Sequence, residues 1–114
     1  MPNELVRGTV TPIVLSLLSE RPMYGYEIVK TVNARSNGVF DMKEGTLYPV
    51  LHRLQGERLL KAAWEDGDAG KRRKYYTLTA KGRRRCAEGR EQWKELRGAV
   101  DALLWGPAGG GATS

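Results

Sequence analysis

The stretch from Lys43 to Leu60, KEGTLYPVLHRLQGERLL, leaves little freedom about its own conformation. Leu47, Val50, Leu51 and Leu54 recur at i, i+3, i+4 and i+7, which puts them on one helical face and makes that face core. The opposite side of the wheel carries Gly45, Thr46, Tyr48, Pro49, His52, Arg53 and Gly56, small, flat or hydrogen-bonding residues that let a partner approach closely. Pro49 has no N–H to donate and suits a first helical turn, with Thr46 as the expected N-cap. The exposed polar residues therefore gather at the helix N-terminus. A helix-turn-helix uses that end of its second helix to present side chains to base edges and amides to phosphate.

The preceding chain fits that arrangement. Residues Leu5 to Ser19 hold Leu5, Ile13, Val14, Leu15, Leu17 and Leu18 and are apolar on more than one face from Pro12 onward. A helix there needs two partners, its own domain and another subunit. Thr11-Pro12 reads as an internal start or as a kink, and Arg21-Pro22 stops the helix. A second helix is expected from Tyr24 to about Arg35, with Tyr24, Ile28, Val29 and Val32 inward and Asn37-Gly38 closing it.

After Lys61 the period changes. KAAWED and KRRKYYTL read as two short strands around a GDAG tip, a hairpin wing. The segment from Lys61 to Arg85 holds nine of the 19 Lys and Arg and three of the 13 Asp and Glu, so it carries the whole net charge of +6. Basicity confined to one region is the footprint of an anionic partner, most often nucleic acid. The wing residues Lys71, Arg72, Arg73 and Lys74 suit phosphates or a minor groove and would be poor core. The plainer reading of them is a solvated edge strand protected by cations.

Thr79 reads as the N-cap of a last helix reaching about Leu104. Within it Cys86, Gly89, Trp93, Leu96, Val100 and Leu103 fall at alternating three- and four-residue steps, an a/d seam of almost three heptads. A seam that narrow faces another helix, so a homodimer held by this helix and the apolar first one is expected, with Leu5, Trp93, Leu96, Val100 and Leu103 at its interface. The pattern gives a fold that is mainly α with a small β-hairpin: a winged helix-turn-helix flanked by N-terminal and C-terminal dimerisation helices. Residues 1–79 form the DNA-binding part and 80–105 the dimerising helix; the tail 106–114 has nothing to pack and is expected to be disordered.

The 114 residues suffice for one domain with a modest core. No N-terminal charged-then-apolar signal and no apolar run near the ~18 residues of a membrane span is present, so a cytoplasmic protein with no membrane role is expected. The single Cys86 cannot form an internal disulfide or a thiolate metal site; it reads as a small packing residue, with a redox sensor as the alternative. One His, one Cys, no paired-carboxylate or metal spacing and no phosphate-cradling glycine loop argue against an enzyme and against any cofactor or metal.

Taken in order, RGTVTPIVLSLL, MYGYEIVK, KEGTLYPVLHRL and GKRRKYYTLTAKG resemble the PadR family of transcriptional regulators, specifically its short subfamily with one C-terminal helix. The resemblance runs from about Leu5 to Leu104 and implies a dimeric winged-helix protein that binds an inverted-repeat operator in double-stranded DNA, usually as a repressor released by a small molecule. Carried across, it implies Gly45, Thr46, Tyr48 and Pro49 with nearby His52 and Arg53 at DNA, Lys43 and Tyr24 near phosphates, and Lys71, Arg72 and Arg73 on the wing. Gln55 and Arg58 stand where the family usually has an acid and a Gly. Because Arg58 would strain a left-handed cap, this helix end is expected to differ in shape.

The resemblance also bears on an effector. Related short-subfamily members stack flat aromatic drugs between paired tryptophans, and Trp93 lies at the equivalent place on the seam. Arg90 and Arg97 flank it and would repel cations, so the implied effector is a small aromatic molecule, neutral or anionic, held by Leu15, Trp93 and Arg97. The plainer alternative makes Trp93 dimer core and pairs those arginines with Glu91, Glu95 or Asp101. The rival function is a winged-helix adaptor that binds protein instead of DNA; RNA binding lacks an exposed aromatic platform on a sheet.

Overall fold

The structure is a computed structural model that describes residues 8–106. Leu5, the start expected for the first helix and the tail beyond Gly106 lie outside the described residues. Helix α1 (Val10–Glu20) is followed by strand β1 (Met23–Tyr24), helices α2 (Gly25–Arg35) and α3 (Glu44–Gly56), strands β2 (Leu60–Asp66) and β3 (Arg72–Leu78), and helix α4 (Ala80–Trp105).

Helix α1 tolerates Pro12 because the proline sits in the first turn, where its missing N–H removes no helical bond. Val10, Val14, Leu15, Leu17 and Leu18 are buried. Helix α2 starts one residue later than its sequence suggests: Tyr24 is extended and caps it, with the Glu27 carboxylate accepting from the Tyr24 N–H at 3.2 Å. Tyr24 and Met23 also form β1, which pairs with Tyr75 and Tyr76 of β3, so the expected hairpin is a three-stranded antiparallel sheet in the order β1-β3-β2. A two-residue strand carries no period that the sequence could announce.

The turn between α2 and α3 is closed by Asn37 and Gly38 in left-handed conformation, as expected, and clamped by Asn33. The Asn33 amide donates to Met42 O at 3.0 Å and its oxygen accepts from Met42 N at 2.5 Å, which ties α2 to the entry of α3 and seats Met42 in the core.

Helix α3 corrects two expectations. Its N-cap is Lys43, not Thr46, so Thr46 is the third helical residue and Pro49 lies inside the helix beyond its first turn. Pro49 removes one backbone bond there, on the exposed side. The core face is as expected: Leu47, Leu51 and Leu54 are fully buried, and Val50 packs against the same cluster. The helix end also keeps the left-handed cap that Arg58 was expected to disturb. Arg58 adopts φ +65°, Leu59 N donates to Leu54 O at 2.9 Å and Arg58 N to Gln55 O at 3.0 Å, a Schellman closure. The exposed Arg58 accepts a strain of about 1 kcal/mol, and the fully buried Leu59 behind it offsets that.

Thr79 caps α4, its Oγ1 accepting from Gly82 N at 3.0 Å and donating to Arg58 O at 2.7 Å. Lys81 Nζ adds a bond to Glu57 O at 3.0 Å, so the start of α4 satisfies the free carbonyls where α3 ends. Gly82 and Cys86 are buried, Cys86 with its Sγ 3.9 Å from Ser16 Oγ on α1, the packing role expected of it. From Arg90 to Trp105 every residue is exposed, and the helix projects to give a molecule 55 Å long.

Candidate nucleic-acid interface

Leu47, Leu51 and Leu54 anchor α3 in the core, so its other face must point outward. Gly45, Thr46, Tyr48, Pro49, His52 and Arg53 are all exposed on it. A Cβ at Gly45 would meet nothing within 4 Å, which leaves the backbone open to close approach. The side chains on this face are not equally free. Arg53 donates to Thr11 Oγ1 at 2.7 Å and lies 3.2 Å from the Glu57 carboxylate, so its guanidinium ties α3 to α1. Lys43 pairs with Asp41 at 3.2 Å across an exposed turn.

Tyr48 is half turned back. The residue is 43% exposed, but the hydroxyl sits over Gly25 at the start of α2, where any Cβ would collide with it. Burial, with the nearby Glu44 carboxylate adding to it, holds the Tyr48 hydroxyl above the usual phenol range. Burial, then Tyr48 itself, does the same for Tyr76. Both phenols are therefore neutral donors at physiological pH.

The wing brings its cations to the same place. Residues of β2 and β3 pair from Leu60↔Leu78 to Asp66↔Arg72, and the tip turns through Asp68–Gly70 with Ala69 and Gly70 at positive φ. Gly67 N donates to Lys71 O at 2.5 Å to close it. Lys71 stands exposed at the tip, outside the groove. Arg73 lies 4.5 Å from the Tyr24 ring, and Tyr24 meets Tyr75 edge-on at 5.4 Å, which links wing to helix-turn-helix. Between α3, the start of α2 and the wing lies an open groove of about 360 Å³. It gathers Tyr24, Tyr48, Arg72 and Arg73 from the expected set and adds Lys74, Tyr26, Trp64 and Tyr76. The charge pattern named Lys74; Tyr26 and Trp64 carried no signal except exposure, which a sequence does not print.

The residues expected to hold an effector are less closely gathered. Trp93 is 45% exposed and lines two recesses between α1 and α4, of about 410 and 310 Å³. Leu15, itself buried, lines the smaller with Leu96. Arg97 lines neither; Arg90 lines the larger. The carboxylate partners offered to Arg90 are also not taken: its Nε donates to Ser16 Oγ at 2.9 Å and its Nη2 to Ser19 Oγ at 3.3 Å. Leu96, Val100 and Leu103 form an uncovered apolar stripe along the outer part of α4.

Among the described residues no group of His, Cys, Asp and Glu could hold a metal ion, and no helix is long and apolar enough to cross a membrane.

Residues 14–88 match the Transcriptional regulator PadR-like family. Over 104 residues the chain is 35% identical to an uncharacterized protein of Lysinibacillus sphaericus, covering 91% of this chain and 95% of the other. It is similar to the crystal structure of a PadR family transcriptional regulator from Eggerthella lenta, at 40% identity and TM-score 0.75 over 90% of this chain and 87% of that one. The PadR-like transcriptional regulator of Bacillus cereus shares 31% identity with a TM-score of 0.82, over 91% and 99% of the two chains.

Proposed function

The chain belongs to the PadR-like family of transcriptional regulators, which act by binding DNA and are not enzymes, and from that premise we propose that it is a homodimeric repressor of a pseudo-palindromic operator. One observation carries this reading: Tyr48, on the exposed face of α3, and the wing cations Arg72, Arg73 and Lys74 line a single groove. A helix placed in the major groove from this face sets the wing cations beside the flanking phosphates. Thr46, His52 and Pro49 meet base edges, with Gly45 allowing the approach and Lys43 and Tyr24 near the backbone.

The uncovered stripe of Trp93, Leu96, Val100 and Leu103 supports dimerisation through α4. Residues 1–79 then bind DNA and 80–105 pair the subunits. A symmetric pair of α3 helices enters major grooves about one turn, ~34 Å, apart. Release by a small aromatic effector, neutral or anionic, completes the reading. The recesses beside Trp93 support it, with Arg90 as the nearer cation for an anionic group.

The test is binding to DNA from immediately upstream of the protein's own gene, with scrambled DNA as competitor, at low and moderate salt. Tight, salt-sensitive binding that scrambled DNA fails to displace is expected. Binding equal to scrambled DNA would remove the operator, and no binding even at low salt would favour a protein-binding adaptor.

A further inference from the structure

The groove between α3 and the wing is far more aromatic than a phosphate cleft requires. Each of its three cations lies against a ring: Arg72 is 5.8 Å from Trp64, Arg73 4.5 Å from Tyr24 and Lys74 5.7 Å from Tyr76. Among the described residues the only carboxylate paired with any of them is Asp66, 3.9 Å from Arg72 and itself well exposed. A ring orients a cation without neutralising it, so the charges stay available to an anion.

Tyr24 and Tyr76 have structural work as well, Tyr24 capping α2 and Tyr76 being buried in the core. Trp64 has none. It stands on β2 directly opposite Lys74, 58% exposed, and its ring borders the groove on the wing side while Tyr48 borders it from α3. A large apolar ring left bare among cations fits a partner that is anionic and apolar in alternation. A sugar-phosphate strand has that character, with deoxyribose faces between phosphates.

We propose that one DNA strand, on its way from the major groove at α3 to the minor groove at the wing, runs through this groove with Trp64 as its wing-side wall. The indole packs against deoxyribose, and it holds Arg72 toward the adjacent phosphate. This rests on the DNA-binding reading above and deepens it by assigning Trp64 a direct, uncharged contact with the backbone.

The experiment measures binding to upstream DNA and to random DNA across a salt series for the wild type, Trp64→Ala, Trp64→Phe, Arg72→Ala and the Trp64→Ala/Arg72→Ala pair, with thermal melting to confirm that each folds. Trp64→Ala is expected to weaken binding about tenfold on both DNAs and to leave the slope of affinity against salt unchanged, because no charge is lost. Trp64→Phe keeps most of the affinity. Arg72→Ala lowers the slope by about one unit, and Trp64→Ala still weakens binding in that background. Wild-type binding with Trp64→Ala unaffected would overturn the strand path and leave DNA binding standing. A Trp64→Ala loss that vanishes in the Arg72→Ala background would make Trp64 a support for Arg72 alone and would also overturn it. A wild type that binds neither DNA at low salt would defeat the DNA-binding reading itself.

Discussion

The phenol of Tyr48 on α3 occupies the space that a side chain at Gly25 on α2 would need. Gly25→Ala therefore forces a choice between moving a backbone and moving a ring. The atoms in the way are the far end of a side chain that is 43% exposed, so the ring moves. Alanine in a first helical turn recovers part of the ~0.5–1 kcal/mol that glycine forfeits, and stability should stay within about 1 kcal/mol of wild type. DNA affinity should fall, since Tyr48 leaves the groove. Adding Gly25→Ala to Tyr48→Ala should bring no further loss; an additional loss in that pair would show that Gly25 itself meets the DNA.

Gly82 gives the opposite case. A Cβ there would overlap the backbone oxygen of Leu59, whose side chain is fully buried and whose carbonyl accepts from Thr79 N at 3.1 Å. Neither can swing aside, so α4 must lift from the end of α3. Gly82→Ala is expected to destabilise by about 1–3 kcal/mol, a fall in Tm of roughly 5–15 °C for a domain of this size. Differential scanning calorimetry reads it directly; an unchanged Tm would mean that α4 docks more loosely than its cap bonds imply.

Much of this fold is legible because its signals are local. The leucine face of α3, the Asn37-Gly38 closure, the Thr79 cap and the charge of the wing each follow from a few adjacent residues. The start of α3 is misread because Thr46 is the better capping residue by type, whereas the helix begins at Glu44 once Met42 is drawn into the core by Asn33. Arg58 is misjudged for a similar reason: the strain of one residue is visible in sequence, and the burial of Leu59 that offsets it is tertiary. The groove follows the same division. Its cations were countable, but Trp64 and Tyr26 join it only through the register of β2 and the capping of α2.

Glu20 carries the pH dependence. Its carboxylate makes a two-pronged pair with Arg35, both contacts at 2.8 Å, and the Arg35 hydrogen bonds, helped by the charges of Arg35, Arg21 and Arg90, hold it below the usual carboxylate range. A carboxyl whose pKa is depressed on folding contributes stability above its unfolded value, near 4.3, and loses that contribution as the pH falls through the folded value. Both partners are well exposed, so solvent screening keeps the effect small. Glu20→Gln should lower the urea midpoint slightly at pH 7 and leave it unchanged near pH 3. An equal deficit at both would assign the loss to packing.

Thr46, His52 and Arg53 share the exposed face of α3 but are predicted to behave differently on substitution. The side chains of Thr46 and His52 make no hydrogen bond within the described residues and are free to meet base edges. The Arg53 guanidinium is held between Thr11 and Glu57. Reaching a base would break those exposed bonds, so part of what Arg53 gained at DNA would be offset. Thr46→Ala and His52→Ala should each narrow the gap between operator and random DNA, by up to the ~1–3 kcal/mol of a specific base contact, and leave random-DNA affinity and Tm near wild type. Arg53→Ala should lower Tm modestly and weaken both DNAs alike. If Arg53→Ala instead erased discrimination with Tm unchanged, the guanidinium would be leaving Thr11 and Glu57 on binding to meet a base.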